Sequence, residues 1–354
     1  MRMKKLVITT LLAAFLAVNI TGCGNSGQKD SVETAGTEIG EENPVSQEDG
    51  LNQATTIRIG YQPLFGTQII ALEDKFHYIE EEFAKDNIQV EFYTFEKGPA
   101  LLEAMTAGGI DIGDELGSSP FITTTAAGNP IVGIAAGKYD PNGTMIIVAD
   151  KESEIESYED LKGKKVAVAV GTAGHSYLIQ VLKSIGLTAD DIELVNLAET
   201  EYLAALEGDS IDACVTLRST GNTIVNAGAG EEVSGDVVYA SPMVYVANSE
   251  FAQANPELVA RFLKNVIKYN QYAAENRSEV QQLIADYFDI DYENLDSYQT
   301  YNYTDLIMED YFYNDYQNSV DFLVDQETIE GLDLKAVTDN TYIEEAYRLL
   351  EDDE

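Results

Sequence analysis

Apolar and polar positions along this chain repeat with two periods, one typical of strands and one typical of helices. Short apolar runs indicate strands at residues 57–62, 88–95, 110–113 and 131–137. Helical spacing of apolar residues covers the segments between them, at 68–84, 99–108 and 120–128. Strands that alternate with helices predict an α/β fold, with a parallel sheet that carries helices on its faces.

The same order of elements occurs a second time farther along the chain. Strands are indicated at 164–171, 192–198 and 211–217, and helices at 175–186 and 201–208. Residues 100–113 and 201–214 align at a single offset of 101, which pairs Ile110-Asp111 with Ile211-Asp212. This repetition predicts two similar lobes.

Two extended runs, residues 143–153 and 241–251, bracket the second set of elements and are interpreted as crossovers between the lobes. The expected division gives residues 56–143 and 244–354 to lobe 1 and residues 144–243 to lobe 2. The residues after the second crossover have a helical pattern, which begins with a helix at 255–276 that has an Asn cap and a proline in its first turn.

The N-terminal region does not follow this pattern. Residues 1–22 combine a basic start, a short apolar run and small residues, which predicts a secretory signal peptide. The ending Ile-Thr-Gly-Cys resembles a lipobox, which implies cleavage before Cys23 and a lipid on its sulfur. A plain secretory signal cut elsewhere is the alternative. The rest of segment 23–55 is polar and acidic, and is expected to be a disordered linker.

Charge and cysteine content narrow the class of protein. The formal charge is −41, and loss of Arg2, Lys4 and Lys5 with the signal shifts it to −44. Such a surface repels nucleic acid and anionic lipids. If Cys23 is lipidated, Cys214 has no disulfide partner, so packing alone must stabilise the exported protein. We expect a monomer held to the outer face of the cell membrane only by its lipid.

Four loops follow predicted strands and are the candidate ligand contacts: 61–66, 114–119, 171–176 and 215–220. Ligands of open α/β sheets bind beyond the carboxyl ends of the strands. Three of these loops lead into helix starts rich in Gly, Ser and Thr, where free amides and the helix dipole favour anions. We expect loop 171–176 to hold an oxyanion through its amides and the hydroxyls of Thr172 and Ser176.

The sequence lacks the motifs that nucleotide binding, nucleophilic catalysis or a zinc site would require. Loop 171–176 is neither a P-loop nor a G-x-G-x-x-G turn, and no G-x-S-x-G elbow is present. A zinc site would need His77 and Cys214 to join His175, and His77 lies in a charged stretch typical of a surface. We therefore expect no metal, no cofactor and no catalytic residues.

Individual side chains leave alternatives open. His175 is expected to contact the ligand or the cleft, against an exposed, capped histidine. Glu115 would bind a ligand's amine, or it would be a solvated carboxylate. Arg218 would bind a sulfonate or carboxylate through two parallel hydrogen bonds, or it would form a salt bridge within the protein. Gln62 and Phe65 fit an amide donor and an apolar wall, against ordinary loop packing. The eight tyrosines in residues 286–317 favour an acidic outer helical face over a sugar-stacking platform.

A family resemblance rests on four stretches: IRIGYQ (57–62), FEKGPALLEAMTAGGIDIGDELGSSPF (95–121), LKGKKVAVAVGTAGHSYLIQVLKSIGL (161–187) and LAALEGDSIDA (203–213). Together they resemble the solute-binding proteins of ABC importers for aliphatic sulfonates, taurine and nitrate, over residues 56–275. The resemblance implies a type II periplasmic-binding-protein-like fold, with two lobes that close on the ligand across a cleft. It also implies delivery to a membrane permease driven by an ATPase.

The resemblance carries over to particular positions. Gln62 matches the glutamine after the first strand, residues 117–119 match a Gly-Ser-Ser turn, and residues 171–176 match the anion loop of the second lobe. Sulfonate binders often have a Trp-Asp-Pro-Phe-like segment where this chain has Val-Thr-Leu-Arg-Ser-Thr at 215–220. The candidate ligand-binding residues are Gln62, Phe65, Gly66, Glu115, Gly117, Ser118, Ser119, Gly171, Thr172, Ala173, Gly174, His175, Ser176 and Arg218.

The sequence therefore predicts a binding protein that captures a small organic anion, an aliphatic sulfonate or taurine-like compound. The altered segment after Ala213 leaves the exact cargo open. One alternative is a binder of a pyrimidine-like vitamin precursor or another nitrogen-containing nutrient. Others are an enzyme on the same fold and a ligand-free adhesin or sensor.

Overall fold

The computed structural model describes residues 54–62, 67–289, 292 and 301–353. Within these ranges the strands form two five-stranded sheets. The first sheet contains β1 (Thr56–Tyr61), β2 (Gln89–Thr94), β3 (Ile112–Leu116), β4 (Ile131–Ala136) and β10 (Val244–Asn248). The second contains β5 (Met145–Ala149), β6 (Lys165–Val168), β7 (Glu193–Asn196), β8 (Ala213–Leu217) and β9 (Glu231–Glu232).

Helices cover both sheets. Those of the first half are α1 (Thr67–Phe76), α2 (Tyr78–Ala84), α3 (Gly98–Thr106), α4 (Ser118–Ala126), α5 (Ala173–Ser184) and α6 (Tyr202–Glu207). Those of the second half are α7 (Arg218–Ala227), α8 (Ser249–Ala254), α9 (Pro256–Glu275), α10 (Arg277–Phe288), α11 (Asp310–Asp325) and α12 (Thr341–Glu351). In the part of the chain that the structure describes, no helix has the length and apolar character to cross a membrane.

The helix predicted over residues 68–84 is divided in two at His77. The backbone of His77 is left-handed, with φ of 59°. This residue ends α1, and α2 begins after it. Glu73 stabilises the break because its carboxylate accepts the N–H groups of Ile79 and Glu80, each at 2.9 Å. The His77 side chain is exposed, as the sequence predicts.

Both sheets are mixed, not purely parallel. Their orders are β2-β1-β3-β10-β4 and β7-β6-β8-β5-β9. Strand β1 runs parallel to β2 and β3, while β10 runs antiparallel to β3 and β4. The second sheet repeats this, since β6 is parallel to β7 and β8 and β5 is antiparallel to β8 and β9. Each five-stranded sheet therefore has four strands that run in one direction and one reversed strand, β10 in the first sheet and β5 in the second.

The internal repeat occupies equivalent places in the two sheets. Strands β3 and β8 are the third in their orders, and their bounds differ by the offset of 101 found in the sequence. The Oδ2 atom of Asp111 accepts the N–H of Arg58 on β1 at 2.8 Å, and that of Asp212 accepts the N–H of Lys165 on β6 at 2.7 Å. The repeated Ile-Asp pair thus joins the third strand to its parallel neighbour in both sheets.

The chain passes between the sheets in segments 137–144 and 233–243. The runs at 143–153 and 241–251 were expected to be crossovers, but β5 and β10 each lie within one sheet. The two connecting segments pair with each other: Gly137 N–H donates to Met243 O at 2.7 Å, and Thr144 N–H donates to Tyr239 O at 2.9 Å. All strands of the second sheet lie between the two connecting segments.

Four apolar clusters fill the spaces between sheets and helices. One face of the first sheet packs on α1, α9 and α12, and its other face packs on α3, α4 and α11. The tyrosine-rich region contributes to both cores, since Tyr303 is 1% exposed and Tyr316 is fully buried. An outer acidic face is therefore wrong for these two rings. Residues 290–291 and 293–300 of that region lie outside the described residues.

Candidate ligand-binding cleft

Two helices begin directly beyond carboxyl ends of parallel strands, as the sequence predicts. Gly117 precedes α4 at the end of β3, and Thr172 precedes α5 after β6. No side chain of the described residues caps either helix. Amides in the first turn of a helix have no partner within that helix. Both helix starts therefore present N–H groups and the positive end of a dipole to a ligand.

Loop 171–176 turns sharply out of its sheet. Gly171 has φ of 84°, a left-handed conformation that a side chain disfavours. Gly171, Thr172 and Ala173 are exposed, whereas Gly174, His175 and Ser176 are buried. The Thr172 hydroxyl donates to the carbonyl of Ala169 at 2.6 Å. Its hydroxyl hydrogen is therefore used within the loop, and the amides of 173–175, in the first turn of α5, are the donors without a partner inside the helix.

His175 is buried, so the exposed histidine that the sequence left open is wrong. Its side chain has a relative exposure of 7%, and its ring meets the edge of Phe322 on α11 at a centroid distance of 5.3 Å. Nδ1 accepts the N–H of Gly171 at 3.2 Å, so a neutral ring carries its proton on Nε2. Burial lowers the pKa of His175, which keeps the ring neutral at pH 7. Its contact with Phe322 fixes the start of α5 against α11.

A chain of hydroxyl groups joins the two helix starts. Ser118 Oγ lies 3.2 Å from Ser319 Oγ on α11. The hydroxyl of Tyr239, in the second connecting segment, faces Ser319 and Ser176 of α5, and these two hydroxyls oppose the rise in its pKa that burial causes. All four residues are at most 7% exposed. Helices from the two sheets, predicted separately, thus converge on one polar centre, which we call the hydroxyl cluster (Ser118, Ser176, Tyr239, Ser319).

Glu115 lies beside this centre and is not a solvated carboxylate. It is 1% exposed, and its Oε2 atom lies 2.8 Å from the Nζ of Lys138, itself 7% exposed. Its Oε1 atom accepts the N–H of Lys138 at 2.5 Å. Neighbouring Asp114 is also buried, and burial together with the charge of Glu115 raises its pKa well above the usual range. The Glu115–Lys138 ion pair fastens the end of β3 to the first connecting segment.

Gln62 is buried at the end of β1, where its side-chain amide donates to Glu115 O at a long 3.4 Å. Its carbonyl oxygen lies beside Gly98, at the start of α3. Ser119 is exposed on the first turn of α4. Phe65, Gly66 and Cys23 lie outside the described residues.

The salt-bridge alternative for Arg218 is the arrangement that the structure contains. Its guanidinium donates from Nη1 to Glu232 at 3.0 Å, from Nε to Gly143 O at 2.9 Å and from Nη2 to Asn142 O at 2.9 Å. Arg218 therefore joins the second sheet to the first connecting segment. It borders a cavity of about 240 Å³ with Tyr158, Tyr177 and Val238 among its lining.

The sequence analysis did not connect α11 with this site. Ser319 and Phe322 come from this helix, more than 130 residues after α5. The available signal was the spacing of i and i+4 for Asp315 and Ser319, because it puts two polar residues on the otherwise apolar buried face of this helix. Another set missed by the sequence is Glu73, His77 and Glu80, whose potential metal-ligand atoms lie within 4.8 Å of one another. Both Glu73 oxygens already accept the amides that start α2.

Comparison with known proteins agrees with this architecture. The family described as NMT1/THI5 like matches residues 82–280, more than half of the chain. A putative aliphatic sulfonates-binding protein of Bacillus subtilis (strain 168) is 29% identical over 358 residues, which cover 97% of each chain. The taurine-binding periplasmic protein of Escherichia coli (strain K12) is 28% identical over 62% of this chain and 67% of its own.

A solved structure has the same fold. The putative sulfonate ABC transporter, periplasmic sulfonate-binding protein SsuA from Methylobacillus flagellatus KT, matches with a TM-score of 0.68 and 21% identity. The match covers 84% of this chain and 95% of that one. This chain, with its two mixed sheets, shares the fold of that structure, and it belongs to the family described as NMT1/THI5 like.

Proposed function

We propose that this protein is the extracytoplasmic binding component of an ABC importer and captures a small organic anion, an aliphatic sulfonate or taurine-like compound. The observation that carries the proposal is the hydroxyl cluster, which brings the uncapped starts of α4 and α5 to one place. The similarity to sulfonate- and taurine-binding proteins supports this cargo class.

The physical basis is recognition of an anion by dipoles instead of by a free cation. Lys138 is held by Glu115, and Arg218 is held by Glu232. Helix starts offer N–H donors with a partial positive charge, and each such interaction stabilises a negative group by about 0.3–2 kcal/mol. A sulfonate has three acceptor oxygens, which suits donors arriving from two helices. Ligand contacts with both lobes then stabilise the closed arrangement of the cleft.

The proposed role is binding and delivery, with no covalent step. The Bacillus subtilis relative aligns along 97% of this chain and is named as a binding protein. A nitrogen-containing vitamin precursor has less support, because Glu115, the group expected to read its amine, is already paired with Lys138. The delivery partners are the permease and ATPase of the importer, and the protein acts as a monomer.

A lipid on Cys23 completes the proposal. The basic start, apolar run and Ile-Thr-Gly-Cys ending of residues 1–23 support attachment to the outer face of the cell membrane. Mass spectrometry of the protein extracted from membranes tests this directly. We expect an N-terminal peptide that starts at Cys23 and carries acyl chains, and release of a Cys23→Ser variant into the medium or periplasm. An unmodified Cys23 in the membrane fraction contradicts the anchor.

Titration calorimetry tests the ligand class, with ethanesulfonate, taurine, nitrate and a hydroxymethylpyrimidine as ligands. We expect the sulfonates to bind more tightly than the other two. Ser176→Ala should weaken sulfonate binding about tenfold, or 1.4 kcal/mol. Ser184→Ala is the matched control, since its hydroxyl lies at the other end of α5 and donates to Val181 O. Tighter binding of the pyrimidine, or equal effects of the two substitutions, contradicts the proposal.

A further inference from the structure

Helix α11 carries a polar stripe next to the hydroxyl cluster. Phe312, Tyr316 and Val320 belong to the apolar cluster on the first sheet. Asp315 and Ser319 share a different stripe, one helical turn apart, or about 5–6 Å between their Cβ atoms. Ser319 lies in the hydroxyl cluster, so Asp315 lies one turn from the centre where α4 and α5 begin.

Asp315 is a buried carboxyl group with one free oxygen. It is 8% exposed, and its Oδ2 atom accepts the N–H of Ser241 in the second connecting segment at 3.2 Å. No described residue donates to its Oδ1 atom. An unpaired buried acceptor destabilises the folded protein, and a charged one does so more strongly. The position is therefore costly unless a partner arrives.

Among the residues that the structure describes, no cation pairs with Asp315. The titratable groups that interact with it electrostatically are the hydroxyls of Tyr239, from the second connecting segment, and Tyr316, from its own helix. Tyr316 also interacts electrostatically with Glu115, and the carboxylate of Glu115 is already paired with Lys138. Burial raises the pKa of Asp315 to about 7 and that of Tyr239 to about 12. Near neutral pH the free protein thus holds Asp315 as a mixture of neutral and ionised forms.

We propose that Asp315 is a specificity-determining residue, whose free Oδ1 atom accepts a hydrogen bond from the protonated amine of a zwitterionic amino-sulfonate. The starts of α4 and α5 hold the sulfonate end, and α11 holds the ammonium end. The inference rests on the proposed function and assigns the second end of the ligand to a helix that the sequence did not connect with the cleft. An alkanesulfonate without an amine leaves Oδ1 unpaired.

Opposite pH dependences follow for the two kinds of ligand. An ammonium group needs the ionised carboxylate, so binding releases a proton below pH 7 and affinity rises with pH. A carboxyl with pKa of about 7 is about one-tenth ionised at pH 6 and nine-tenths ionised at pH 8, which predicts about a tenfold gain. A simple alkanesulfonate is favoured by the neutral carboxyl, so its affinity falls over the same range.

Calorimetry of the full chain with taurine and with ethanesulfonate at pH 6 and pH 8 tests the inference, using two buffers of different ionisation enthalpy to count protons. We expect Asp315→Asn to weaken taurine binding at least tenfold at pH 8, to abolish its pH dependence and to leave ethanesulfonate equal or tighter. Asp321→Asn on the same helix is the matched control, since Asp321 is half-exposed and faces Lys183 at 4.0 Å.

The possible outcomes separate a failure of the role of Asp315 from a failure of the proposed function. Equal weakening of both ligands by Asp315→Asn, or pH dependences of the same sign in the wild type, overturns the role of Asp315 and leaves sulfonate capture standing. No binding of either ligand by the wild type overturns the proposed function and this inference together. If Asp315→Asn does not fold, the wild-type pH comparison and proton count decide alone.

Discussion

Removing the cation of the buried Glu115–Lys138 pair should destabilise the protein more than any change on its surface. The Nζ and Oε2 atoms lie 2.8 Å apart, and the two side chains are 8% and 1% exposed. At an effective dielectric constant of about 20, this separation gives a gross attraction of about 6 kcal/mol. Desolvation of both charges offsets much of it, but Lys138→Met leaves the carboxylate buried and uncompensated. We expect a loss of about 3–5 kcal/mol in the free energy of unfolding.

Urea unfolding of Lys138→Met, Glu115→Gln and the double variant measures this loss and the coupling between the two groups. The double variant should recover most of the stability, because no charge is then left buried. A loss below 1 kcal/mol, or a double variant as unstable as Lys138→Met, refutes the reasoning.

Three further changes test other parts of the structure by urea unfolding. Gly221→Ala should lower the free energy of unfolding by about 1–2 kcal/mol, net of the gain in helix propensity, because the new Cβ would lie 2.4 Å from Ile146 Cδ1. Gly174→Ala should leave the stability nearly unchanged, because the nearest atom to its new Cβ is 3.5 Å away. Asp111→Ala should cost about 2–3 kcal/mol, since it removes acceptors for one amide and two guanidinium donors of β1. Burial lowers the pKa of His175, so the stability that its neutral ring contributes should be lost as pH drops below about 6.5, and the difference in unfolding free energy between the wild type and His175→Gln should shrink over that range. Equal costs for the two glycines, a neutral Asp111→Ala or an unchanged acid slope would each contradict the corresponding argument.

The features of the fold that could be predicted from the sequence are those that depend on local residue patterns. Periodicity located the strands and helices, and the offset of 101 between the Ile-Asp segments located equivalent strands. The helices predicted at 120–128 and 175–186 begin two residues earlier, at Ser118 and Ala173, within the loops rich in Gly, Ser and Thr that follow apolar runs. Each of these features depends on residues within a few positions, where backbone geometry couples side-chain spacing directly to one face of an element.

Contacts between distant segments were decided only by the tertiary structure. The hydroxyl cluster joins Ser118 to Ser319 across 201 positions, and Arg218 reaches Asn142 across 76. Whether a glutamate is solvated or paired depends on which lysine the chain brings beside it, and no local pattern records that. With 62 acidic residues, the sequence offers many equivalent partners for every cation, and only the tertiary packing selects among them.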